Sequence, residues 1–172
     1  MKRAGFIIAL TVVLAGFAAP AQAATDFDNA PQGAHYAQGS SEPECTFDSA
    51  TAILSCTGTQ IAGVGNTNAD LVVSVSSEFT GVCRNPGTKR KIVDPFTETD
   101  DASVSVPLTA AKNGRLVVPS QTVDGTSEAE FLADFECPNP NWEADLTEAD
   151  ISWSYTLTFV GFDDPVISIS SP

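Results

Sequence analysis

Residues 151–162 read ISWSYTLTFVGF, and the alternation in that stretch decides the fold. Ile151, Trp153, Tyr155, Leu157 and Phe159 fall on one side of an extended chain; Ser152, Ser154, Thr156 and Thr158 fall on the other. A strict period of two in β-branched and aromatic residues marks a strand with one buried face. Residues 70–79, DLVVSVSSEF, repeat the pattern, with Leu71, Val73, Val75 and Phe79 opposite Ser74, Ser76 and Glu78. ASVSVPL (102–108) and RLVVP (115–119) are two more strands, parted by the turn signal KNG at 112–114. CTFD, AILSCTG, AEFLADFEC and PVISIS bring the total to roughly eight short strands. TSEAEFLADF (126–135) is the one segment with helical character, and its alternating Phe131, Ala133 and Phe135 fit a strand equally well. Short strands at spacings of about 8–12 residues, with Gly, Pro and Asn between them, predict an all-β fold. The specific expectation is an immunoglobulin-like antiparallel β-sandwich of about 7–9 strands with two disulfides.

The N-terminus has its own logic. Lys2 and Arg3, the apolar run AGFIIALTVVLAGFAA and AQA at 21–23 form a secretory signal peptide over residues 1–23. The apolar run is short for a membrane span of about 20 residues, so an exported, secreted chain is expected. Residues 24–42 are polar and read as a flexible N-terminal extension or a loosely docked first strand, and residues 43–172 as one sandwich domain. Removing 1–23 takes two of the eight basic residues and none of the 22 acidic ones, so the net charge moves from −14 to −16. A surface so acidic excludes nucleic acid and anionic lipid as partners. It also favours a soluble monomer.

Four cysteines in an exported chain imply two disulfides, with three possible connectivities. Zinc does not fit: the spacings 11, 27 and 54 contain no C-x2-C pair, and the only histidine, His35, lies in the polar N-terminal stretch. Two cysteines open nearly the same phrase, CRNPG at 83–87 and CPNPNW at 137–142. Asn before Pro is pushed out of the helical region, and Pro cannot donate to a ladder, so each phrase is expected to end a strand and turn the chain. A Cys83–Cys137 bridge would bolt the two corners together and close a 54-residue loop, contributing roughly 4 kcal/mol in the loop-entropy model. Cys45 and Cys56 flank TFDSATAILS, a hairpin turning near 49–51, which suits a second, local bridge. A redox role is disfavoured, because there is no C-x-x-C and Arg84 is the one neighbouring cation. Trp142, beside the second corner, reads as core packing.

Chemistry is sparse. One histidine argues against a Ser-His-Asp arrangement. The many carboxylates supply pairs for glycoside hydrolysis without singling any out. DPFTETDD (94–101) and GFDD (161–164) lack the spacing of a calcium loop. The Gly-x-Gly of IAGVGN (61–66) lacks the lysine and helix of a phosphate loop and reads as a tight connection between strands. Arg84, Lys89, Arg90 and Lys91 form a cationic patch, either a solvated loop or a docking patch for an acidic cell-surface polymer or protein.

LSCTGTQIAGVGNTNADLVVSVS, CRNPG, KNGRL and CPNPNW together resemble small secreted proteins of actinobacteria and similar bacteria that share Gly-x-Gly-Asn, Cys-x-Asn-Pro-Gly and Cys-Pro-Asn-x-Asn-Trp motifs over about residues 45–160. The resemblance implies an exported β-domain and supplies no reaction. The basic TKRK at 88–91 departs from it, standing where such proteins carry a Gly-rich stretch. The functional expectation is an exported, non-enzymatic binding or envelope-associated protein without cofactor or metal. The alternative is a small-molecule carrier, resembling in architecture the two-disulfide chromophore-binding sandwiches of actinomycetes, with a hydrolase third. A carrier needs an apolar cleft, so exposed aromatics in WSYTLTF would favour it.

Overall fold

Three strands longer than the sequence pattern predicts organise the molecule. A computed structural model describes residues 22–87 and 95–171. Its strands are β1 (Gln22–Thr25), β2 (His35–Tyr36), β3 (Cys45–Asp48), β4 (Ile53–Cys56), β5 (Thr59–Ala62), β6 (Ala69–Arg84), β7 (Phe96–Leu108), β8 (Arg115–Val118), β9 (Gln121–Asp124), β10 (Glu143–Phe159) and β11 (Ile167–Ser170). One helix, α1 (Glu128–Asp134), and a single 3-10 turn, Phe27–Asn29, complete the described elements. The fold is an all-β antiparallel sandwich with eleven described strands, more than the seven to nine expected, because strands such as β5 (TQIA) and β9 (QTVD) hold one large apolar residue each and show no alternation.

A five-stranded sheet, ordered β1-β11-β10-β6-β7, forms one layer. Two three-stranded sheets, β2-β5-β8 and β3-β4-β9, cover its inner face. Leu71, Val73 and Val75 of β6 and Trp153, Tyr155, Leu157 and Phe159 of β10 are buried there against Leu54, Ile61, Leu116, Val118 and Val123 of the smaller sheets. The alternation in ISWSYTLTF is thus realised residue for residue, and its aromatics face the core. The outer face carries hydroxyls that pair across strands, as in Ser74 with Ser154 at 2.9 Å and Thr80 with Thr97 at 2.9 Å.

Two short stretches within residues 24–42, Ala24–Thr25 and His35–Tyr36, are strand-paired. β1 pairs with β11 and β2 with β5; Phe27 meets Tyr36 edge to face at 5.2 Å. The expected cleavage point after Ala23 lies inside β1, and a chain beginning at Ala24 keeps the pairings Ala24–Ser168 and Thr25–Ile167. IAGVGN forms a tight link between β5 and β6, in which Gly63 (φ 77°) and Gly65 (φ 61°) adopt the left-handed backbone that glycine tolerates without strain.

The disulfides are Cys45–Cys56 and Cys83–Cys137. Cys45 and Cys56 face each other across the β3–β4 hairpin. The segment AEFLADFEC, counted above among the strands, is helical. Ser127 caps it: its hydroxyl accepts from the Glu130 amide at 3.3 Å, while the Glu130 carboxylate accepts from the Ser127 amide at 2.8 Å. This reciprocal capping box overrides the short alternation of Phe131, Ala133 and Phe135. Among the described residues, no helix is long and apolar enough to cross a membrane.

Burial raises the Tyr155 phenol well above its ordinary value of 10.0, and burial likewise raises Tyr36. The unfolded chain therefore loses phenolic protons first, and stability falls as pH rises past about 10. In an alkaline titration followed by tyrosinate absorbance, one of the two tyrosines is expected to ionise only as the fold is lost. Tyr155→Phe should shift the alkaline unfolding midpoint upward. An ionisation of Tyr155 that precedes unfolding would contradict its burial.

Candidate functional site

The two small sheets cover only part of β6 and β10. Beyond about Ser76, the ladder runs on as a three-stranded blade of β7, β6 and β10. Its inner face there carries Phe79, Gly81 and Cys83 of β6, with Phe96 opposite Gly81, Glu98 opposite Phe79 and Asp100 opposite Ser77. Among the described residues no second sheet covers this face; α1 does. Phe131 stacks on Phe79 at 5.0 Å between ring centroids, and Phe135 lies 5.4 Å from Phe131. The buried Ser77 hydroxyl donates to the Thr126 carbonyl at 2.9 Å and ties down the approach to the helix.

The repeated Cys-x-Asn-Pro now has a physical explanation. The Asn85 side-chain oxygen accepts from the Gly87 amide at 2.8 Å, and the Asn139 side-chain oxygen accepts from the Asn141 amide at 3.0 Å. Both phrases build the same Asx turn, which reverses the chain without a sheet partner. One closes β6. The other does not end a strand as expected: it leaves α1 and leads into β10. The Cys83–Cys137 bridge joins them with a Cα separation of 5.8 Å, so the helix end and the blade end are one unit. Trp142 is half-buried and lines a shallow surface cleft beside Pro140 and Cys137. The expectation of core packing is corrected, because the Asn139 turn, to whose carbonyl the Trp142 amide donates at 2.9 Å, stands clear of the sandwich core.

Between α1 and β7 opens a cleft of about 320 Å³. Cys83, Phe96, Phe135 and Pro138 give it apolar walls, and Glu98, Asp134 and Glu136 line the same space. Phe96 is 55% exposed and stands 6.1 Å from Phe135, ring planes tilted by 50°. Past Glu98 and Asp134 the cleft continues into a narrower space of about 230 Å³ that also meets Asp100 and Thr126. Asp100 accepts from the Thr126 hydroxyl at 2.5 Å. None of Phe96, Glu98, Asp134, Phe135 or Glu136 was read from the sequence as a ligand contact, although Phe96 and Glu98 fall in the acidic run DPFTETDD. A signal was present: on the β7 face that continues Ala102, Val104 and Val106, the residues change to Asp100, Glu98 and Phe96, so a core-facing row turns acidic just where the core ends.

The residues that did stand out are not brought together here. Arg84, registered opposite Glu143, forms its ion pair with Asp145, two residues further along β10, which takes it out of a free cationic patch; Lys89, Arg90 and Lys91 lie outside the described residues. His35 is exposed on β2, its ring nitrogen 2.8 Å from the Gly33 carbonyl. Among the described residues no three His, Cys, Asp or Glu side chains gather to hold a metal. Of the two acidic runs, Asp100 and Asp101 point to opposite faces of β7, and Asp94 lies outside the described residues. Trp153, Tyr155 and Phe159 are buried, so WSYTLTF offers no cleft.

No protein-family model matches this chain, no curated protein matches it, and no solved structure matches it.

The seat of α1 generates a direct test. A Cβ on Gly81 would lie 3.1 Å from Phe135 and 3.2 Å from Phe131, closer than ordinary contact. Gly81→Val should therefore lift the helix and cost about 1–3 kcal/mol in denaturant unfolding. Amide shifts should change around Phe131 and Phe135 and remain unaltered near Leu54 and Ile61. An unchanged helix would show that α1 is not seated on β6 as described.

Proposed function

We propose that the chain is an exported, non-enzymatic binding protein that holds a small ligand at the α1 end of its blade. Export rests on the leader pattern at residues 1–23, and the two disulfides fit a compartment where thiols oxidise. The observation that carries the binding reading is the cleft beside Phe96. A large aromatic residue left 55% exposed, against a second aromatic ring and beside a disulfide, gives the cleft an apolar wall open to a ligand. The volume, about 320 Å³, falls at the small end of ligand sites. The cross-linked corners support a site held in shape before a ligand arrives, which lowers the ordering cost of binding. Of the two forms of binding, the cleft supports the carrier; the envelope-docking form rests on Lys89, Arg90 and Lys91, outside the described residues, and on Arg84, paired with Asp145. The resemblance to small secreted actinobacterial proteins agrees with the setting and adds no ligand.

Native mass spectrometry of the protein secreted by its own cells tests this reading. The expected result is a retained small molecule on the wild-type chain that is lost from Phe96→Asp. The reading fails if the wild-type chain is recovered unliganded and a small-molecule fragment screen by NMR leaves the Phe96 and Phe135 signals unmoved.

A further inference from the structure

We infer that the cleft between α1 and β7 selects a small organic ammonium ion bearing an apolar group, an inference that rests on the binding reading above. Three observations converge on it. First, the apolar part of the cleft is aromatic. Phe96 and Phe135 stand 6.1 Å apart at 50°, and Phe131 adjoins Phe135 at 5.4 Å. Ring faces attract a cation lying within about 6 Å of their centroids, and alkylated ammonium groups profit most because their methyl or methylene shells also pack on the rings. Second, Glu98, Asp134 and Glu136 line the same space. Among the described residues the single ion pair is Arg84–Asp145, and none of these three carboxylates is paired with a described side-chain cation. An anionic ligand would be repelled by them, and a neutral one would strip water from them without return. A bare metal ion suits the site poorly, because no metal-holding group of acids is present among the described residues. Third, the surroundings reinforce the sign. Glu78 and Asp150 are directly opposed on the far face of the blade, and Asp100 lies at the end of the cleft. Carried on a chain of net charge −14, this field draws cations toward the blade over a Debye length.

The selectivity has a direct measurement. Benzyltrimethylammonium and neopentylbenzene share one shape and differ in a nitrogen cation for a neutral carbon. Titration of each into the full disulfide-bonded protein, by calorimetry and isotope-edited NMR at physiological salt, should show the cation binding at least about tenfold more tightly. The shift changes should centre on Phe96, Glu98 and Phe135. Glu98→Gln, Asp134→Asn and Glu136→Gln combined should weaken the cation about tenfold, while the neutral probe binds no more weakly than before. All three side chains are exposed, so the variant is expected to fold as wild type does. Equal affinity for the two probes would overturn the ammonium selectivity and leave the binding reading standing. Cation binding that maps to Glu78 and Asp150 instead would overturn the site. Failure of both probes to reach the cleft, with no retained ligand in the native protein, would remove the selectivity and the binding reading together.

Discussion

The β6–β10 ladder is the constraint on which the rest of the molecule depends. Sixteen residues of β6 and seventeen of β10 run side by side, a length of about 50 Å at ordinary strand rise. An unbulged strand cannot choose its face locally: period two fixes every side chain of β6 once one is placed, while β10 shifts register between Leu146 and Glu148. Where Leu71 to Val75 and Trp153 to Phe159 point inward, the small sheets arrive to cover them. The same parity carried further along the chain presents Phe79, Gly81 and Cys83 on the inner face with no sheet to meet them. A helix with phenylalanines and a disulfide supply the missing layer. The division into a sandwich body and a helix-covered blade is therefore a consequence of one ladder outrunning its partner sheets.

Electrostatics divides the molecule along the same line. The body keeps hydroxyls on its outer face, while the blade carries Glu78, Glu98, Asp100, Asp101 and Asp150. Glu78 opposite Asp150 is a like-charge pair, which costs stability in a sheet. A region that bears such a cost, exposes Phe96 and is nonetheless cross-linked differs from an ordinary solvated edge. A cross-link, an aromatic surface and a concentration of negative charge occur together there. That coincidence is the physical content of the proposed ligand site.

Legibility in the sequence followed the same physics. The faces of residues 71–79 and 151–159 were readable because long alternation leaves only one register. The pairing of Cys83 with Cys137 was readable because Asn-Pro after each cysteine forces corners. Two short elements were not: β5 (TQIA) and β9 (QTVD) hold one large apolar residue each, too few to mark a face. The helix at 128–134 was ambiguous because Phe131 and Phe135 satisfy both a strand's alternation and a helix's i, i+4 spacing. The decision lay in Ser127 and Glu130, whose reciprocal hydrogen bonds match a capping box. The cleft was the least legible, since Phe96 and Phe135 meet only through strand pairing and helix docking.

The central claim is that α1 and the Cys83–Cys137 bridge do for the blade what the second layer does for the body. Native-state hydrogen exchange on the oxidised protein and on a Cys83→Ala, Cys137→Ala variant tests it most directly. The account predicts that amides of Ser77 to Cys83 and their β10 partners exchange slowly in the oxidised protein. In the variant these amides, with those of α1, should lose protection as a group, while Leu71 to Val75 keep theirs. Uniform loss across both halves of the ladder, or no loss in the blade, would contradict it.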